Sequence, residues 1–204
     1  GDMTAAYEAL EWSEARKEGK KMTTSCCPAF IHLLKRHFPD QYHENMSQTI
    51  SPMAAVSRYL KATHPGCITV FIGPCMAKKS ESQEMGIEGN ADYVLSFGEF
   101  TSLLRSKDIS MEPEVKAYQE ASLWGKGFAS SGGVANAVME CMRERGEDTT
   151  DIKLRACSGG KACVTALSLL KVGKLPEDFI EGMALWVDLP DIRRRVRLRR
   201  LEKA

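Results

Sequence analysis

Apolar positions along this chain alternate between two periods, one that suits helices and one that suits strands. Residues 4–18 (TAAYEALEWSEARKE) read as a helix with Tyr7, Leu10 and Ala15 on its buried face, closed by Gly19. Pro28 stands where a second helix begins, since its fixed φ suits a first turn and its missing N–H costs nothing there. Phe30, Ile31, Leu34 and Phe38 form the buried stripe of that helix, and Pro39 ends it. Ser51-Pro52 repeats the device: an N-cap hydroxyl, a first-turn proline, then Met53, Val56, Tyr59 and Leu60 at helical spacing before Pro65-Gly66. Further helices are expected over 99–106, over the stretch opened by Ser131-Gly132-Gly133 and ended by Gly146, and over 162–172. Val134, Ala137, Val138 and Met142 mark the inward face of the middle one.

Short β-branched runs separate these helices. Ile68-Thr69-Val70-Phe71-Ile72, flanked by glycines, predicts a strand buried on both faces of a parallel sheet. Met22 to Ser25, Asp92 to Phe97 and Ile152 to Ala156 complete the strand set, while 82–91 and 107–127 read as connections. The alternation of strand and helix predicts an α/β fold with mainly parallel sheet flanked by helices. A chain of 204 residues can build it as one large domain or as two small lobes.

Composition narrows the class. An apolar fraction of 43% with 27% charged residues suits a globular chain. No stretch approaches the roughly 20 apolar residues of a membrane span. Gly1 to Lys20 is charged and has no apolar centre, so neither a signal peptide nor a membrane partner is expected, and cytoplasmic placement follows. The net charge of +1 hides an asymmetry: residues 185–204 carry a net +4 and leave −3 on the body, which argues against a nucleic-acid-binding body.

Seven cysteines, two of them adjacent, suit metal or redox chemistry in a reducing compartment better than structural bridges. Cys67 and Cys141 sit within apolar patterns and read as small core residues. The informative ones lie in two proline-marked turns, Thr24-Ser25-Cys26-Cys27-Pro28 and Gly73-Pro74-Cys75-Met76-Ala77-Lys78. A cysteine at a helix N-terminus meets unpaired N–H groups and the positive dipole end, both of which favour the iron-binding thiolate. Adjacent cysteines do not easily serve one small cluster, so one of Cys26 and Cys27 is the ligand and the other has a different task. Cys75 follows a strand end, the edge where open α/β sheets place ligands. Lys78, one helical turn on, is placed either to hydrogen-bond an anionic ligand or to form a solvated pair with Lys79.

Thr24-Ser25-Cys26-Cys27-Pro28 and Pro74-Cys75-x-x-Lys78-x-x-Glu81 resemble the first and second signature motifs of the iron-only (FeFe) hydrogenases. The likeness continues through Ser47-x-x-x-Ser51-Pro52, Asp92-Tyr93-Val94-Leu95 with Glu99, Ser131-Gly132-Gly133-Val134 and Phe179-Ile180-Glu181-Gly182-Met183-Ala184. It spans residues 1–184 and is nearest to the short, sensory-type branch. It implies two α/β lobes with the H-cluster, a [4Fe–4S] cubane joined to a di-iron subsite, in the cleft between them. By motif position Cys27 and Cys75 would be cubane ligands and Cys26 the thiol that passes protons to the di-iron subsite. Lys78 would hydrogen-bond a cyanide, with Pro74 also against the cofactor and Ser51 beside the subsite. Glu8, Ser47 and Glu81 would fall near the family's proton path. Reversible reduction of protons to hydrogen, a ferredoxin-like electron carrier and hydrogenase maturation proteins are the implied activity and partners.

The pattern then breaks. The family's third motif, Met-Ala-Cys-x-x-x-Cys, supplies the remaining cubane cysteines, whereas here Met183-Ala184 leads into Leu185-Trp186-Val187-Asp188 and no cysteine follows. An impaired hydrogenase domain is the expectation for this chain, and the alternative is a non-catalytic iron–sulfur sensor or assembly scaffold. Residues 185–204, with Arg193-Arg194-Arg195 and three further arginines, do not resemble the family. They read as the product of a frame change or an added tail, against a solvated basic helix or a nucleic-acid patch. Cys157 and Cys163, at C-x5-C spacing around Gly159-Gly160, read as structural or redox residues, with cluster ligation as the other reading.

Overall fold

The structure, a computed structural model, describes residues 1–84, 86–110 and 121–184. The arginine-rich segment 185–204 and the centre of the 107–127 connection lie outside the described residues. The fold is α/β with parallel sheets flanked by helices. One lobe is built on a parallel sheet of order β1-β5-β4, from β1 (Met22–Thr23), β4 (Leu154–Ser158) and β5 (Phe179–Met183). Helices α1 (Asp2–Lys17) and α8 (Gly133–Glu144) cover one face, where Trp12, Met22, Val138, Met142 and Phe179 share a core. On the opposite face α2 (Pro28–His37) and α9 (Gly160–Lys171) bury Phe30, Leu34, Cys163 and Leu167 against Ile180. Successive residues of β5 thus serve opposite cores, as the period of two requires.

The second lobe holds α4 (Pro52–Thr63), β2 (Val70–Gly73), α5 (Ala77–Glu84), β3 (Tyr93–Ser96) and α6 (Phe97–Arg105). Its two strands pair in parallel, Val70 with Tyr93 through Gly73 with Ser96. Its core is small, with Met53, Ala91 and Val94 buried and Phe71 packed against them.

Several elements differ from their sequence reading. The buried face of α1 is the opposite one: Thr4, Ala5, Glu8, Ala9 and Trp12 point inward, while Tyr7 and Leu10 are exposed. Small residues there let α1 lie close to α8, and the single large indole fills the space over Phe179, with ring centroids 4.6 Å apart. On α4 only Met53 of the expected stripe is buried, joined by Ala54 and Ser57. Strand β2 is not buried on both faces, since Val70 and Ile72 are exposed. Pro39 ends α2 but also opens α3 (Pro39–Asn45), and α7 (Leu123–Gly127) rises from the expected connection. Part of the 82–91 segment belongs to α5, and β5 had no strand expectation because Glu181 and Gly182 break its apolar run. Cys141 packs at the edge of the first core, whereas Cys67 is only partly buried.

Candidate functional site

The two lobes meet across a cavity of about 340 Å³. The turn after β1 brings Cys26, Cys27 and Pro28 to its wall, and the turn after β2 brings Pro74, Cys75 and Lys78. Pro52 and Met53 come from the start of α4, Val134 from the start of α8, and Glu181, Gly182 and Met183 from the end of β5. Strands end and helices begin at this wall, so several positive dipole ends face one space, a field that favours anions.

Local chemistry explains the convergence. Cys27 is the N-cap of α2, its carbonyl accepting from the Phe30 and Ile31 amides at 3.0 Å, and Pro28 fills the first helical position. Ser51 caps α4 through Oγ, which accepts from the Ala54 amide at 3.3 Å. In the Ser131-Gly132-Gly133 turn Gly132 is left-handed (φ 79°), and a Cβ on Gly133 would lie 2.1 Å from the Gly127 carbonyl oxygen. Gly182 lies flat on the Phe30 ring, where an added Cβ would come within 2.3 Å.

A buried polar chain runs along the cavity. Lys78 donates from Nζ to the Cys26 carbonyl at 3.1 Å, which ties one lobe to the other. The same ammonium pairs with Glu81, which also accepts from the Ser51 hydroxyl. Glu81 is buried, and Lys78 nearly so, which leaves little solvent to screen the pair. The sequence placed Lys78, Ser51 and Glu81 separately; the structure brings them into one network.

Behind Cys26 lies a second polar cluster. Burial, then the charge of Glu8, pushes the Cys26 thiol well above its ordinary range, with Lys78 opposing, so the group is a neutral thiol near pH 7. Glu8 is fully buried, neither carboxylate oxygen has a hydrogen-bond partner, and burial followed by repulsion from Glu11 pushes it up to about 8. Ser47 is buried and donates from Oγ to Glu11 at 2.7 Å. Glu11 also accepts from the Gln48 amide at 2.7 Å and the Thr49 hydroxyl at 3.0 Å, and it opens onto a surface groove beside Arg58.

Sequence reasoning missed Glu11 and Glu181. For Glu11 a signal existed, because Glu8 and Glu11 are three apart and share a helix face. For Glu181 the sequence held none, since its partners are backbone groups remote in the chain. Its oxygens accept from the Gly132 and Ala135 amides at 2.9 Å each, capping α8, while burial pushes it up to about 6 against those bonds. Cys157 and Cys163 line the second core, not the cavity; the Cys163 thiol donates toward the Cys157 carbonyl at 3.6 Å, and burial pushes it up to about 12.

The sequence profile of the iron-only hydrogenase large subunit, C-terminal domain, matches residues 1–184. The chain belongs to this family. Iron hydrogenase 1 of Clostridium pasteurianum is 24% identical over 182 residues, which cover 78% of this chain but 31% of that protein. The fold is similar to that of the apo FeFe-hydrogenase HydA1 of Chlamydomonas reinhardtii, with a TM-score of 0.66 at 21% identity, over 90% of this chain and 64% of that one. A FeFe-hydrogenase studied for oxygen inactivation of its H cluster is similar at a TM-score of 0.65 and 20% identity, over 90% of this chain and 65% of that one. The chain therefore spans about a third of the curated relative and less than two thirds of the solved hydrogenase chains.

An iron–sulfur cubane takes four thiolates. Cys27 and Cys75 share the cavity, yet among the described residues no three metal-ligating side chains are grouped to hold a metal, and residues 185–204 contain no cysteine. The chain's own donor set does not complete the cluster of its hydrogenase relatives.

Proposed function

We propose that this chain is the cluster-cradling part of an FeFe-hydrogenase domain. Cys27 and Cys75 anchor one side of an iron–sulfur unit, and reversible proton reduction is the activity of the complete assembly. The observation that carries the reading is the meeting of both motif cysteines, Cys26 and Lys78 on the wall of one cavity between two lobes. The chain's residues supply three things there. Convergent helix starts and Lys78 favour negative charge. Apolar side chains such as Met53, Phe71 and Val134 exclude water. Glu11, Ser47, Glu8 and Cys26 offer groups for proton movement: Ser47 and Glu11 share a hydrogen bond, the charge of Glu8 acts on the Cys26 thiol, and Glu8 and Cys26 are both protonated near neutral pH. A bound cluster would supply the redox chemistry.

The half-filled donor set favours a second reading, a non-catalytic iron–sulfur sensor or assembly scaffold. Hydrogen evolution from a chemical reductant separates the two, because only the first predicts it once the remaining ligands are present. A ferredoxin-like electron carrier, maturation proteins and a cytoplasmic setting belong to the first reading; no described helix is long and apolar enough to cross a membrane.

The test is anaerobic reconstitution with iron and sulfide, read by metal content and EPR. Wild type should bind iron with sulfide and give a cluster signal, and Cys27→Ser and Cys75→Ser should each remove most of it. Equal iron in all three proteins would defeat the proposal.

A further inference from the structure

An iron–sulfur cluster of either common size takes four thiolates, and the cysteines of this chain do not reach that number at one place. Cys27 and Cys75 come from opposite lobes to the wall of one cavity. Cys26 lies beside them, but it packs against the first core while Cys27 packs against the second, so the two neighbouring side chains diverge. Cys157 and Cys163 are sealed in the second core, Cys141 packs at the edge of the first, and Cys67 lies beyond the end of α4. Two ligating sulfurs therefore serve the cavity, and two positions of a cluster have no donor. The same wall carries a spare cation. Lys126, from α7, lines the cavity and is exposed, and among the described residues no carboxylate pairs with it. Lys78, the other lysine there, is already bound to Glu81 and to the Cys26 carbonyl. Glu181, the carboxylate of the wall, is held by the amides at the start of α8.

We propose that in this chain the two missing ligands are small exogenous thiols that carry carboxylate groups, bound to iron through sulfur and to Lys126 through a carboxylate. The donor count asks for the sulfur, and the unpaired ammonium at the solvent-open side of the cavity asks for the carboxylate. Each thiol loses its proton to solvent as it binds, and no electron changes hands. The proposal rests on Cys27 and Cys75 holding iron, as read above, and adds where the rest of the coordination comes from. Half of the ligands then leave independently of the protein, which suits a cluster that is sensed or handed on.

The experiment reconstitutes the full 204-residue chain anaerobically with iron and sulfide in a thiol-free phosphine reductant, alone or with glutathione, S-methylglutathione or 2-mercaptoethanol. EPR reads the cluster, light scattering the mass, and acid release the bound thiol. Glutathione should give a monomeric chain with about two glutathiones per cluster, the number left by two protein cysteines. S-methylglutathione, which keeps the carboxylates without a free thiol, should give no cluster. 2-Mercaptoethanol, a thiol without carboxylates, should give one that a chelator strips roughly fivefold faster, the effect of an exposed ion pair. Lys126→Ala should abolish that difference and leave the melting temperature nearly unchanged, as exposed substitutions do. Three outcomes would overturn the proposal and leave Cys27 and Cys75 as ligands: a stable cluster in phosphine alone with no thiol bound; two chains per cluster, which would assign the missing donors to a second copy; or loss of the cluster in Cys26→Ala or Cys163→Ala, which would assign them to the chain itself. A glutathione preference that survives Lys126→Ala would overturn the assigned class of thiol. No cluster under any of these conditions would defeat the iron-binding reading, and the proposal with it.

Discussion

Two buried carboxyls do different work. Glu8 has no hydrogen-bond partner and titrates near 8 in the folded chain against 4.5 in its ordinary state. Its folded pKa is the higher, so its contribution to stability is fully present below about pH 4.5 and is lost as pH rises toward 8. Glu8→Gln keeps the shape and removes the titration. It should melt on the order of 10 °C above wild type at pH 8, since a rise from 4.5 to about 8 corresponds to roughly 4 kcal/mol, and the gap should close below pH 4.5. Melting curves across that range check the sign as well as the size. Glu181 is the reverse case, a carboxylate satisfied by two backbone amides at 2.9 Å. In Glu181→Gln one of those amides faces an NH₂ group, so stability should fall by about 2 kcal/mol, with faster hydrogen exchange at the Ala135 amide. Unchanged exchange there would remove the capping role.

At the scale of elements, caps and stripes follow different logic. Helix α6 buries none of its residues, so packing contributes little and its ends matter more. Ser96 and Glu99 form a reciprocal capping box, with the Ser96 amide donating to Glu99 at 2.8 Å and the Glu99 amide to Ser96 Oγ at 3.2 Å. Ser96→Ala should cost about 1 kcal/mol and raise amide exchange over 97–101 roughly fivefold, with the first lobe unaffected. The amphipathic stripe of α2 was readable because Phe30, Ile31 and Leu34 all meet one core. That of α1 was misread: Tyr7 and Leu10 are more apolar than Thr4 or Ala5, yet the close approach of α8 selects small residues and one indole. Helix α4 misleads in the same direction: Met53, Ala54 and Ser57 are buried, while its later apolar positions Val56, Tyr59 and Leu60 are exposed.

For the whole molecule, the Lys78–Glu81–Ser51 network reaches across to the Cys26 carbonyl and, with the His32–Ser80 hydrogen bond at 2.5 Å, joins lobes whose apolar cores are separate. Lys78→Met would leave Glu81 buried without its cation, and a loss of about 3 kcal/mol is expected. The double variant Lys78→Met, Glu81→Gln removes both charges and should recover much of that loss, so urea denaturation of the cycle reads the coupling directly. Additive losses would show that the two side chains act independently. The single variant should also separate the unfolding of the two lobes, because the Cys26 carbonyl loses its donor from the other side.

Local sequence by itself determined the turns that carry Cys27 and Cys75, the starts of α2 and α4, and the parallel α/β plan, because proline, N-cap hydroxyls and β-branched runs act through their immediate neighbours. Only the tertiary structure decided which face of α1 is buried, that Ser47 bonds Glu11, that Glu181 holds the start of α8 from 46 residues or more away, and that Val70 and Ile72 of β2 are exposed among the described residues. Burial and hydrogen bonding of that kind depend on what arrives from distant parts of the chain, and no local pattern carries that information.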